Sequence, residues 1–329
     1  MNTEQQIATF RETYATLRAE IGKVIVGHEP IVDGTLIAVF AGGHVLLEGV
    51  PGLGKTLLVR TLGEVLDLSF SRIQFTPDLM PADILGTNLV METPDGRRVF
   101  EFQKGPVFAH LILADEINRA TPKTQSAMLE AMQEKQVTAG GELRRLAEPF
   151  FVLATQNPID QEGTYPLPEA QLDRFMFKIL VGYPSFDEEL AIAENTTSGE
   201  APTLEPLLDR AEIINLQRIV RKVLVGRSIS AYAVSLVRAT RPGSPEAPDY
   251  VNKYLTWGAG TRACQALLLG AKAHALLDGR VHVSTDDIRY VAPPVMRHRL
   301  VTSFTAESDG VTADHIVEKL FDTVREPAE

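Results

Sequence analysis

Apolar positions near the start of the chain recur at helical spacing. Ile7, Phe10, Tyr14, Leu17 and Ile21 fall on one stripe between about residues 3 and 22, which predicts a surface helix. Val24 to Glu29, VIVGHE, follows as a short extended piece. Pro30 then sits where a helix tolerates proline best, in the first turn of a second helix reaching about Ala41. Gly42-Gly43 ends it. The apolar run Val45-Leu46-Leu47 reads as a strand, and LLVRTLGEVL resumes helical periodicity. Phe70 to Phe75 alternates like a strand, and PDLMPADIL makes a turn of helix. Asn88 to Glu92 and Arg97 to Gln103 flank a TPDG turn, the signature of a β-hairpin. HLILADEINR, from His110, is an apolar run ending in two acids. Thr121-Pro122 opens a helix, with Thr121 as its expected cap and Met128, Leu129 and Met132 as its apolar face. Gln136 to Leu146, centred on Gly140-Gly141, predicts a second hairpin. Pro149 to Thr155 and Met176 to Val181 predict two further strands.

From Pro184 the strands give way to helical patterns. These are Asp187 to Thr196, Asp209 to Val223, Ile229 to Thr240, Thr261 to Leu277 and Asp314 to Val324. STDDIRYV, from Ser284, starts with a cap at Ser284 or Thr285, and Pro293-Pro294 is expected to stop that helix. The pattern predicts an α/β domain over residues 1–183 and an all-α domain over residues 184–329. Two domains are also the soft prior for 329 residues.

The candidate chemistry begins between the first strand and its helix. HVLLEGVPGLGKT, His44 to Thr56, matches the P-loop pattern G-x-x-x-x-G-K-[ST]. Gly49, Pro51, Gly52, Leu53 and Gly54 form the loop, and Lys55, Thr56 and Leu57 open the helix. Glycines let backbone N–H groups wrap an anion, and the helix N-terminus adds its free donors and positive dipole end. Lys55 is expected at the outer phosphates and the Thr56 hydroxyl at a magnesium ion. A Gly-rich turn carrying a lysine is the plainer alternative; the flanking strand and helix argue against it.

An apolar run feeding adjacent carboxylates is what a buried parallel strand looks like when it delivers charge at its carboxyl end. Alone, it is often a strand turning to solvent. About sixty residues after a P-loop it points to Asp115 as the magnesium-holding acid and Glu116 as the residue that polarises the attacking water. Asn157, at the tip of the PFFVLAT strand, can hydrogen-bond that water or the γ-phosphate, or simply make an Asx turn before Pro158. Arg174 reads equally as a surface ion pair and as an arginine finger for a neighbour's nucleotide.

Composition narrows the class. Hydrophobic residues at 44% and charged residues at 23% describe an ordinary globular protein. With 43 acidic and 32 basic side chains the formal charge is -11, which disfavours a general nucleic-acid binder. The single cysteine, Cys264, excludes an internal disulfide framework and fits a packed small side chain. An apolar signal core and an 18-residue apolar run are both absent from the sequence, so the sequence predicts a cytoplasmic protein without membrane insertion.

Together GVPGLGKT, LADEINRA, LATQNPIDQEGTYPLPEAQLDRF and APPVMRHRL resemble the MoxR family of AAA+ ATPases, over nearly the whole chain from about Val24. The resemblance implies a P-loop αβα core with a parallel sheet, a helical lid, ATP or ADP with Mg2+ as cofactors, and a ring homo-oligomer, commonly a hexamer. In that pattern Asn157 matches the sensor-1 position and Arg174 the arginine finger. Arg262, in GAGTRA, falls where a sensor-2 arginine is expected to reach the phosphates. VIVGHE resembles the segment packing on adenine, placing Val26, Gly27 and His28 beside the base, although histidine stands where the family commonly has glutamine. The hairpins at about residues 86–102 and 136–146 resemble the family's axial hairpins. The function implied is ATP-driven, chaperone-like remodelling of a protein client, with a partner bearing a von Willebrand factor A domain. An ATP-gated scaffold with little turnover and a DNA-directed motor of the same superfamily are the alternatives.

Overall fold

The structure, a computed structural model, describes residues 3–50, 52–92, 94–95, 97–158, 163–197 and 202–327. Two helices come first, α1 (Thr3–Gly22) and α2 (Glu29–Ala41). The predicted stripe of α1 is buried at Phe10, Leu17 and Ile21, and Phe10 meets Phe40 of α2 edge-on at 5.2 Å. Gly42 takes a left-handed φ of 75° and ends α2, as such a glycine does when it caps the last carbonyls.

The strands and helices that follow build the α/β core. β1 (Val45–Glu48) leads through the P-loop to α3 (Lys55–Val65), then β2 (Phe70–Gln74) and the short α4 (Pro81–Leu85). The first hairpin is β3 (Gly86–Glu92) with β4 (Arg98–Lys104). β5 (Leu111–Asp115) and α5 (Pro122–Glu134) precede the second hairpin, β6 (Gln136–Ala139) with β7 (Glu142–Arg145). β8 (Phe151–Gln156), the single turn α6 (Glu169–Leu172) and β9 (Phe177–Leu180) complete the core. Five of these strands form one parallel sheet in the order β2-β5-β8-β1-β9. Alternation along β1 explains its burial on both sides: Val45 and Leu47 join one apolar cluster and Leu46 the other.

The remainder is mainly helical: α7 (Phe186–Thr197), α8 (Arg210–Lys222), α9 (Arg227–Ala239) and α10 (Asp249–Tyr254). After α10 come α11 (Thr261–Leu277), α12 (Thr285–Met296), α13 (Phe304–Ser308) and α14 (Ala313–Thr323). Three expectations need correction here. The C-terminal half is not purely helical, because β10 (Leu255–Trp257) pairs antiparallel with β11 (Val301–Thr302). The prolines do not stop α12, which carries Pro293 and Pro294 inside its last turns. Their φ suits a helix, and burying Ile288, Val291, Ala292, Val295 and Met296 outweighs two missing backbone bonds. Thr121 occupies the cap position of α5, yet its hydroxyl meets Thr124 Oγ1 at 3.3 Å and caps no backbone N–H.

These helices do not stand apart from the sheet. Ile213 and Leu216 of α8, Leu267 and Ala271 of α11 and Val291 of α12 share one apolar cluster with α2, α3 and a face of β1, β5 and β8. α11 lies against α2, and α12 against the β9 edge.

Candidate nucleotide-binding site

The loop after β1 is shaped by close approach at one end and openness at the other. A Cβ on Gly49 would lie 2.5 Å from the Val181 carbonyl oxygen, so this glycine lets the β1 exit pass against β9. Gly52 and Gly54 have φ of 85° and 72° and face open space, as a backbone anion cradle requires. Pro51 lies outside the described residues. Lys55 Nζ donates to the carbonyl oxygens of Gly49 and, at 3.3 Å, Val50. Burial lowers its pKa, while Asp115, Glu116 and Glu48 pull in the other direction and favour the ammonium.

Parallel registry brings the acids to the same place. Thr155, at the end of β8, donates from its hydroxyl to Asp115 Oδ1 at 2.6 Å and accepts the Glu116 N–H at 2.8 Å. Arg72 of β2 donates to Asp115 Oδ2 from Nη2 at 2.6 Å and from Nε at 3.1 Å. Glu116 takes a left-handed φ of 54°, uncommon for a side chain of this size and a mark of functional constraint. Its carboxylate accepts from Gln74 Nε2 at 2.9 Å and from Arg119 at 3.1 Å. Asn157 follows β8 and is buried. Lys55, Thr56, Asp115, Glu116, Thr155 and Asn157 line one cavity of about 350 Å³.

A second, more apolar cavity of about 640 Å³ adjoins it along Gly52, Leu53, Gly54, Lys55 and Leu57. Val26 and His28 line it. Gly27, between them, backs onto the Glu188 side chain, which occupies the space a Cβ would need. The opposite wall comes from Tyr183, Pro184 and Ile192, in and before α7. Sequence motifs did not flag these residues, nor Thr155, Arg72 and Gln74. Thr155 carried one usable signal, its place two residues before Asn157 at a strand end.

Two arginines lie elsewhere. Arg174 follows α6, donates to the Leu129 carbonyl at 2.6 Å and lines neither cavity. Arg262 does not join the P-loop of its own chain. It pairs with Asp173 at 3.3 Å and meets Gln133 at 3.4 Å. The cause is the packing of α11, whose apolar side lies on α2 and α12 and leaves its first turn beside Asp173. The buried Arg299 fixes Asp173 from the other side at 2.7 Å.

A hydroxyl from Thr56 and a carboxylate from Asp115 lining one cleft make a hard-oxygen donor set. That set fits magnesium, which binds through one or two carboxylates and keeps most of its water.

Comparison with known proteins identifies the family. Residues 44–177 match the model of the ATPase family associated with various cellular activities, and residues 249–320 match the AAA lid domain. Bacillus subtilis YeaC, an uncharacterized protein, is 45% identical over 94% of this chain and 93% of its own. Chaperone MoxR1 of Mycobacterium tuberculosis is 43% identical over 94% of this chain and 81% of its own. A Cytophaga hutchinsonii protein of known crystal structure superposes with a TM-score of 0.91 at 41% identity, covering 99% of this chain and 98% of that one. The chain belongs to the MoxR family of AAA+ ATPases.

Proposed function

We propose that the protein is a magnesium-dependent ATP hydrolase that works as a ring, commonly of six copies, and uses turnover to remodel, assemble or activate protein clients. The observation that carries the reading is the convergence of Lys55, Thr56, Asp115, Glu116, Thr155 and Asn157 on one cleft. Lys55 and the loop amides hold the phosphates, and the apolar cavity beside Val26 and His28 takes the base. Thr56 and Asp115 hold the metal, whose charge would offset that of the phosphate oxygens. Glu116 accepts a proton from the attacking water while Asn157 orients it.

Arg174 and Arg262 flank Asp173 at a distance from their own P-loop. That placement supports a reading in which both reach a neighbour's nucleotide, so that the site is complete only between subunits. The chaperone role rests on the family and on the name of the 43% identical relative; a partner with a von Willebrand factor A domain is the corresponding proposal. No described helix is long and apolar enough to cross a membrane, and the proposed place of action is the cytoplasm.

Phosphate release by the wild type and by Glu116→Gln tests the enzyme reading. We expect the variant to bind ATP and to lose turnover by about a hundredfold or more, as removal of a catalytic base does. Equal background rates would leave only a nucleotide-gated scaffold.

A further inference from the structure

The carboxylate expected to hold the metal is already gripped by a side chain outside the motifs. Arg72 lies on β2, whose parallel register with β5 sets Gln74 beside Asp115. Its guanidinium donates twice to Asp115 Oδ2, at 2.6 and 3.1 Å, and from Nη2 also to Gln74 Oε1 at 2.7 Å. The amide of Gln74 donates in turn to Glu116 Oε2 at 2.9 Å. Arg72 thus holds Asp115 directly and reaches Glu116 only through the Gln74 amide, while Arg119 also donates to Glu116 Oε2 at 3.1 Å.

The two partners of the ion pair are unequally held. The Asp115 side chain is 12% exposed and its other oxygen is pinned by Thr155, whereas the Arg72 side chain is 49% exposed. A half-exposed arginine can leave for solvent cheaply, because such pairs contribute little once water is the alternative. Two cations cannot share Asp115 Oδ2 without repulsion.

We infer that Arg72 is a positioning residue that occupies Asp115 until a divalent cation displaces it. This inference rests on the reading of Asp115 as the metal-holding acid.

The test is a Mg2+ titration of the full-length protein with a fluorescent ADP analogue, comparing wild type with Arg72→Gln. Removing the competing cation should lower the magnesium concentration at half-saturation about fivefold, equivalent to a pair of about 1 kcal/mol. ADP affinity at saturating magnesium should change less than about twofold, since Arg72 is assigned no phosphate contact. An unchanged half-saturation overturns the inference. So does a parallel loss of ADP affinity at saturating magnesium, which would make Arg72 a phosphate ligand. A second measurement needs no nucleotide: thermal unfolding in EDTA of Arg72→Gln, Asp115→Asn and the double variant. Non-additive shifts are expected from the contact, and additive shifts would overturn it. A wild type that binds no ADP with magnesium would sink the ATPase reading, and the EDTA cycle would still decide the contact.

Discussion

His44, the residue before the P-loop strand, shows how one buried side chain ties the site to solution conditions. Its Nδ1 accepts the Val152 N–H at 3.1 Å and its Nε2 faces the Met132 carbonyl at 3.1 Å, so the neutral ring with its proton on Nε2 satisfies both neighbours. Burial pushes its pKa down from 6.5 to about 4, with Lys135 adding in the same direction and Met132 opposing. The unfolded chain therefore binds the extra proton first on acidification. The stabilising contribution is full above pH 6.5 and is lost as pH falls toward 4, amounting to about 3 kcal/mol at the acid end. Burial lowers the buried His298 in the same sense. Urea unfolding across this range should show stability falling with acid, and His44→Gln should make the fall shallower; an unaltered slope would refute the assignment. At this scale the motifs named Lys55, Thr56, Asp115 and Glu116 from residue type and spacing. Arg72 and Gln74 carry no motif: a lone arginine on an exposed strand position gives no sign of its partner. Registry between β2 and β5 sets Gln74 opposite Asp115, and the Arg72 guanidinium reaches that carboxylate diagonally.

Among the elements, the junction of α11 and α12 is densely bonded. Asp287, wholly buried, closes the capping box of α12 by accepting the Ser284 N–H at 2.7 Å. It also takes both forks of Arg280 at 2.6 Å, and His274 Nδ1 lies 2.6 Å from its Oδ1. Burial alone would raise its pKa, but the bonds from His274, Arg280 and Ser284 hold it well below the usual carboxylate range. Its contribution is thus present at all but strongly acid pH. Replacing one partner of such a pair strands the others. Asp287→Asn should destabilise by about 2–4 kcal/mol, against about 1 kcal/mol for Ser284→Ala, both measured by urea unfolding. A loss for Asp287→Asn no larger than that for Ser284→Ala would show the ion pairs to be dispensable. STDDIRYV predicted the cap because capping is local chemistry. Passage through Pro293-Pro294 was not legible, since it depends on apolar burial supplied by distant elements. The same holds for Arg262: Ala263, Ala266, Leu267 and Ala271 mark α11 as buried without saying what it packs against.

For the molecule as a whole, alternating strands and helices followed by helices were enough to foretell a parallel sheet with a helical C-terminal half. Nothing in that pattern shows that the two halves share one apolar core, because a hydrophobic stripe does not name its partner. If Arg174 completes a neighbour's site, activity belongs to the assembly. Mixing Arg174→Ala with Lys55→Ala subunits should then restore turnover above either parent, since some interfaces pair an intact pocket with an intact finger. Phosphate release from verified mixed rings checks this, and no recovery would count against a shared site.

The continuous core has a mechanical consequence. α8, α11 and α12 are fastened to α2 and the sheet in one apolar cluster, and α7 with the preceding Tyr183-Pro184 is the part of the helical half that lines the apolar cavity. If the proposed ring forms, its subunits would resemble the stones of an arch more than hinged jaws. Each stone would then keep its shape, the joints would take up the displacement, and a change at one nucleotide would reach the proposed client as a tilt of whole blocks.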